Sequence, residues 1–171
     1  FFKDHLVLLF VRLVFLPLLV LLLACPPSAK CAASCLIGTS TCVPGSVLSS
    51  CIAAAPTSAI SIDCLFKDFR GTIPSEISKF TSLTALLLGG SPLTGTIPSE
   101  ISKLVSLLYL ELGSSSLTGT IPTGIGLLTR LTSFGVAPNL LRGTIPTEIV
   151  LLTGLVGVQI DTNAFTGTIP P

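Results

Sequence analysis

From Gly71 onward the apolar positions follow a pattern that repeats every 24 residues. A Gly-Thr-Ile-Pro phrase opens each unit, at Gly71, Gly95, Gly119, Gly143 and Gly167, with no insertion or deletion between copies. With each glycine as position 1, isoleucine fills position 3 in all five copies: Ile73, Ile97, Ile121, Ile145 and Ile169. Position 7 is Ile77, Ile101, Ile125 and Ile149, and position 10 is Phe80, Leu104, Leu128 and Leu152. Positions 13, 16 and 18 are Leu83/Leu86/Leu88, Leu107/Leu110/Leu112, Leu131/Phe134/Val136 and Leu155/Val158/Ile160. Position 23 is Leu93, Leu117, Leu141 and Phe165.

The alternation at positions 16 and 18 predicts a short half-buried strand. The spacing 3, 7, 10 predicts a helical or 3₁₀ turn packed on one side. One such unit cannot bury its apolar face alone, so a fixed period of this length predicts stacked coils sharing one core. The recurring glycine and proline then mark the place where every coil must turn. Glycine accepts the backbone angles, and proline fixes φ ahead of the short helix. An early acid and a base three residues later, Glu76 with Lys79 and Glu100 with Lys103, suit the dipole of that turn. The core should contain Leu86, Leu88, Leu110 and Leu112.

The first part of the chain is different. Lys3 and Arg12 precede an unbroken apolar run from Leu13 to Ala24, and small residues follow at Ala24, Ser28 and Ala29. This predicts a signal peptide over 1–29 in preference to an N-terminal membrane anchor, because Arg12 and Pro17 interrupt any longer span. Leu22–Cys25 also has the form of a bacterial lipoprotein box. The leader accounts for much of the 49% hydrophobic content and the mean hydropathy of +0.91. Without it, seven basic and seven acidic residues remain, so charge argues against nucleic acid and against anionic lipid.

All six cysteines, Cys25, Cys31, Cys35, Cys42, Cys51 and Cys64, precede the repeats. In an exported chain they predict a stapled N-terminal segment over 30–70. The single histidine, His5, lies in the leader and there is no Cys-x-x-Cys, so no metal or cofactor is expected. Cys64 falls in the position-18 slot. It is expected to be a small buried hydrophobe, with Cys42–Cys51 the favoured bridge.

The phrase LVGVQIDTNAFTGTIP at Leu155–Pro170 resembles the plant-type leucine-rich repeat, LxxLxLxxNxLxGxIP. That family includes receptor-like kinase ectodomains and polygalacturonase-inhibiting proteins. The resemblance covers 71–171 as four full repeats and a truncated fifth, and extends in degraded form over Ala59–Gly71. It implies an α/β fold, a right-handed leucine-rich-repeat solenoid of short parallel strands and 3₁₀ turns. It further implies a secreted or cell-surface recognition module that binds a protein or peptide on a concave sheet, either free or as part of a membrane receptor kinase ectodomain. The family's turn asparagine survives as Asn139 and Asn163 but is Ser91 and Ser115 in the first two units. A hydroxyl should supply only part of the amide's bonding. The family's paired-cysteine and tryptophan cap is not matched, and the chain ends inside a unit, which predicts a longer natural protein.

No nucleophile–base pair, paired carboxylates or phosphate loop stands out, so no enzyme is expected. On the predicted strands, positions 15, 17 and 19 point outward. Most are small; the distinctive ones are Tyr109, Glu111, Gln159 and Asp161, with Asp63 nearer the start. They are the candidate ligand-binding residues, and Tyr109 is the candidate aromatic anchor. A second column is threonine at position 2: Thr72, Thr96, Thr120, Thr144 and Thr168. If extended, it would form a ladder at about 4.8 Å, the spacing between strands. That ladder resembles the ice-binding face of some antifreeze solenoids and gives the alternative function.

Overall fold

The computed structural model describes residues 35–37, 40–42, 48–66 and 68–171. The predicted leader, 1–29, and its proposed role as export signal or membrane tether lie outside the described residues. Among the described residues no helix is long and apolar enough to cross a membrane.

Each coil contributes one short strand to a seven-stranded sheet that also holds an antiparallel pair of strands preceding the coils. The strands are β1 (Cys35–Ile37), β2 (Ser40–Cys42), β3 (Ser61–Asp63), β4 (Ala85–Leu87), β5 (Tyr109–Glu111), β6 (Ser133–Gly135) and β8 (Gly157–Gln159). Their order is β2-β1-β3-β4-β5-β6-β8. β1 pairs antiparallel with β2 and β3, and every later neighbour is parallel. The parallel register joins Ile62, Leu86, Leu110, Phe134 and Val158, so residues 24 apart sit side by side. Two further strands, β7 (Arg142–Thr144) and β9 (Ala164–Thr166), form a small separate parallel sheet. A seven-residue helix, Leu48–Ala54, precedes β3.

The short helices are 3₁₀ turns at Ser75–Lys79, Ser99–Lys103, Thr123–Leu127 and Thr147–Leu151. Pro74, Pro98, Pro122 and Pro146 stand immediately before them with extended backbone. Proline presets φ there and has no N–H to leave unsatisfied. Each turn closes with the position-10 N–H donating to the position-7 carbonyl, as from Leu104 to Ile101 at 3.0 Å. Glycine at position 1 has φ between +79° and +94° in all five copies, a region costly for residues with a Cβ.

The core follows the predicted positions. Leu86, Leu88, Leu110 and Leu112 are all buried, and columns 3, 7, 10, 13 and 23 are buried with them through the first three units. The last described coils are looser: Val158 in the fourth unit is 47% exposed and Ile169 in the fifth is 78% exposed, because no further coil packs on their outer side in the described chain. The turn asparagines bond as expected. Asn139 Oδ1 accepts from Leu117 N–H, and its Nδ2 donates to the Leu112 and Val136 carbonyls. Ser115 Oγ makes one such bond, to Ser91 O at 2.7 Å, and Ser91 Oγ one, to Cys64 O at 3.4 Å.

The cysteine expectation is corrected. Cys64 is buried in its strand slot, but it is disulfide-bonded rather than a free hydrophobe. Cys51 is the buried free thiol, which removes Cys42–Cys51 as a pair. The strand slot sets where Cys64 lies, whereas bonding depends on which sulfur approaches it. Spacing along the chain does not encode that approach.

Candidate functional site

The outward positions of the strands carry the candidate residues. Tyr109 and Glu111 bracket Leu110 on β5 and share one face, as the period of two requires. Tyr109 lies between Ala85 and Ser133, and Glu111 between Leu87 and Gly135. Gln159 is two strands from Glu111 in the same row, beyond Gly135, and Asp63 is two strands away on the other side. Two strand spacings amount to about 9–10 Å. Asp161 lies just past β8, is exposed, and accepts a bond from the Thr162 hydroxyl. The five residues therefore share a face but not a single pocket, and only Tyr109 and Glu111 are close neighbours.

Glu111 lies in a cradle of glycine. Its Oε1 accepts the Gly113 N–H at 2.9 Å. A Cβ on Gly135 would fall 2.0 Å from Glu111 Oε2, so the carboxylate fills the space of a missing side chain. A Cβ on Gly113 would meet the Ala137 carbonyl oxygen at 2.0 Å and Glu111 Oε1 at 2.8 Å. Neither glycine has positive φ, so space rather than backbone freedom explains both. Desolvation of the half-buried carboxyl pushes its pKa up, and the Gly113 bond opposes this in part.

Two features were missed from sequence. The glycine cradle had a signal: Gly113 and Gly135 stand outside the Gly-Thr-Ile-Pro phrase and inside or beside strands, where glycine often marks close approach. The outward residues of β4 had none. Ala85 and Leu87 point away from the core by period, yet both are buried, and Leu87 is only 1% exposed.

The threonine column is placed differently from expectation. Thr72, Thr96, Thr120, Thr144 and Thr168 are all exposed. The pairing, however, joins Thr96 to Thr118 and Thr144 to Thr166, residues 22 apart rather than 24. Each coil is thus set back two residues on this side, and the column runs obliquely. The position-24 hydroxyls bond to backbone; Thr118 Oγ1, for example, donates to Gly95 O at 3.1 Å. The position-2 methyls lie against glycines of the next coil: a Cβ on Gly119 would be 2.9 Å from Thr96 Cγ2. Arg142 replaces threonine at position 24 in one coil and pairs with Ala164. Among the described residues no group of His, Cys, Asp and Glu could hold a metal ion.

The Leucine Rich Repeat family is matched over residues 82–104. The BIR2 ectodomain from Arabidopsis thaliana is 29% identical, with a TM-score of 0.62, over 64% of this chain and 57% of its own. The plant peptide hormone receptor RGFR1, solved in complex with RGF2, is 36% identical, with a TM-score of 0.59, over 60% of this chain and 16% of its own. A plant ice-binding protein is 31% identical, with a TM-score of 0.57, over 60% of this chain and 33% of its own. This chain therefore spans less than two thirds of each of these proteins. No curated protein matches it. The 24-residue coil, the Gly-Thr-Ile-Pro turn, the asparagine bonds and these likenesses agree: the chain folds as a leucine-rich-repeat solenoid similar to the plant-type leucine-rich-repeat family.

Proposed function

We propose that this protein is a non-catalytic extracellular recognition module that binds a protein or peptide on the outward, concave face of its sheet. The observation that carries the reading is the β5 pair. Tyr109 and Glu111 stand on a row of otherwise small residues, Ser133, Gly135, Ala137 and Gly157, over which a ligand's main chain can pass closely. An aromatic anchor beside a fixed polar group is the usual composition of a binding hot spot. The RGFR1 structure, a complex with RGF2, adds support. Export, through the apolar leader, belongs to the same reading. The test is selection of a phage-displayed random peptide library on the folded protein. Enrichment of peptides that bind the parent, lose binding to Tyr109→Ala and keep it to Thr120→Lys is the expected result. Peptides indifferent to Tyr109→Ala would sink the reading.

A second reading is favoured by the exposed position-2 threonines together with the likeness to a plant ice-binding protein. It predicts thermal hysteresis that is lost in Thr120→Lys and kept in Tyr109→Ala. The two variants change different faces of the coil, so one pair of proteins decides between the readings. We favour recognition, because the 22-residue register makes the column oblique, its methyls lie against glycines of the next coil, and the neighbouring position-24 hydroxyls are bonded to backbone.

A further inference from the structure

The charges of the coil are segregated. Among the outward strand positions the ionisable acids are Asp63, Glu111 and Asp161, and there is no lysine or arginine. The bases lie elsewhere. Arg70 pairs with Asp68 at 3.6 Å, Lys79 and Lys103 end 3₁₀ turns that begin with Glu76 and Glu100, and Arg142 is on the small sheet. Asp68, Glu76 and Glu100 thus have bases near them in the chain and Glu148 and Arg130 stand alone on the coil, whereas the outward strand positions carry one sign of charge.

Glu111 is the central acid, and it is held in place. The Gly113 N–H donates to its Oε1. Oε2 rests over Gly135, in space that any side chain there would claim. A flexible surface glutamate needs no such cradle; a carboxylate fixed at a set point of the sheet does. The Gly113 bond alone does not offset the desolvation of this group, since its pKa remains raised. A cation delivered to the carboxylate would favour its charged form. A guanidinium can do so with paired, planar hydrogen bonds.

Resting on the recognition reading above, we propose that the partner is a basic, extended peptide segment, one of whose arginine or lysine side chains pairs with Glu111 over the Gly113–Gly135 cradle. The small residues of β6 and β8 leave room for the peptide backbone, and Tyr109 packs beside it. Asp161 lies further along the same face and adds charge of the same sign.

The experiment uses three synthetic peptide sublibraries, identical except that one central position is arginine, citrulline or aspartate. Citrulline keeps the shape of arginine and removes its charge. The expected result is at least tenfold tighter binding of the arginine set than the citrulline set, weak binding of the aspartate set, and loss of affinity with rising salt. Glu111→Gln should abolish the arginine preference, bringing the arginine and citrulline sets to equal affinity. Gly135→Ala, which displaces the carboxylate, should reduce the preference in the same direction. Equal binding of all three sets, or an arginine preference that survives Glu111→Gln, overturns the charge proposal. If that binding still depends on Tyr109, the recognition reading stands. Absence of binding by every set to a protein shown by circular dichroism to be folded overturns both.

Discussion

Replacing Asn139 by alanine should cost far more than a surface change, because the amide satisfies backbone groups that have nowhere else to turn. Asn139 is only 7% exposed. Its loss removes the bonds to Leu117 N–H at 2.8 Å, Leu112 O at 2.9 Å and Val136 O at 2.8 Å. Val136 O keeps a bond from Asn163 Nδ2 at 3.1 Å. Two backbone groups are therefore stripped of their side-chain partner. An unsatisfied buried group costs about 1–3 kcal/mol, so Asn139→Ala should destabilise by about 2–6 kcal/mol. The lower end applies if water enters the vacated space. Urea unfolding followed by circular dichroism measures this, provided the slope against denaturant is unchanged. Asn139→Asp separates bonding from volume. Aspartate has nearly the same shape and keeps an acceptor for Leu117 N–H. It also turns a second oxygen toward two carbonyls, so at neutral pH it should be no better than alanine. A loss below about 1 kcal/mol in Asn139→Ala, or near-parent stability in Asn139→Asp, would refute the argument, since each is far below the cost of orphaned buried groups.

The remaining predictions concern other links in the chain. Leu110→Ala should cost about 2–5 kcal/mol in the same assay, as a truncation within a closed core. Gly119→Ala should destabilise by at least about 1–2 kcal/mol, because φ is +79° and the new methyl group meets Thr96 Cγ2. Glu111 sets a pH dependence. Its folded pKa is raised, so the folded state binds more protons, and stability falls as pH rises from the unfolded glutamate value through the raised one. Glu111→Gln should flatten that part of the stability–pH profile and be more stable than the parent above it. Alkylation with mass mapping should modify Cys51 only after denaturation, and Cys64 only after reduction.

The sequence alone determined the coil. Its period, the columns that enter the core, the turn at each Gly-Thr-Ile-Pro and the partial substitution of asparagine by serine were all readable. Each is a local requirement repeated every 24 residues: a φ that only glycine takes easily, a backbone group needing an amide, an apolar side needing a neighbour. Repetition made these local signals strong. The face on which Tyr109 and Glu111 stand followed from the same period of two. What tertiary structure decided were the relations between coils, which no single coil encodes. The threonine column seemed to lie in a 24-residue register, but coil packing sets it back to 22. Cys64 was readable as a strand residue but not as a bonded one, because bridging depends on sulfurs brought together from distant positions. Gly135 was legible as a glycine within a strand, but only the neighbouring strand shows that its missing side chain is where the Glu111 carboxylate rests. Patterns within a coil are written in the order of residues, whereas contacts across coils depend on side chains about 24 residues apart meeting in space, and the chain records those only when it folds.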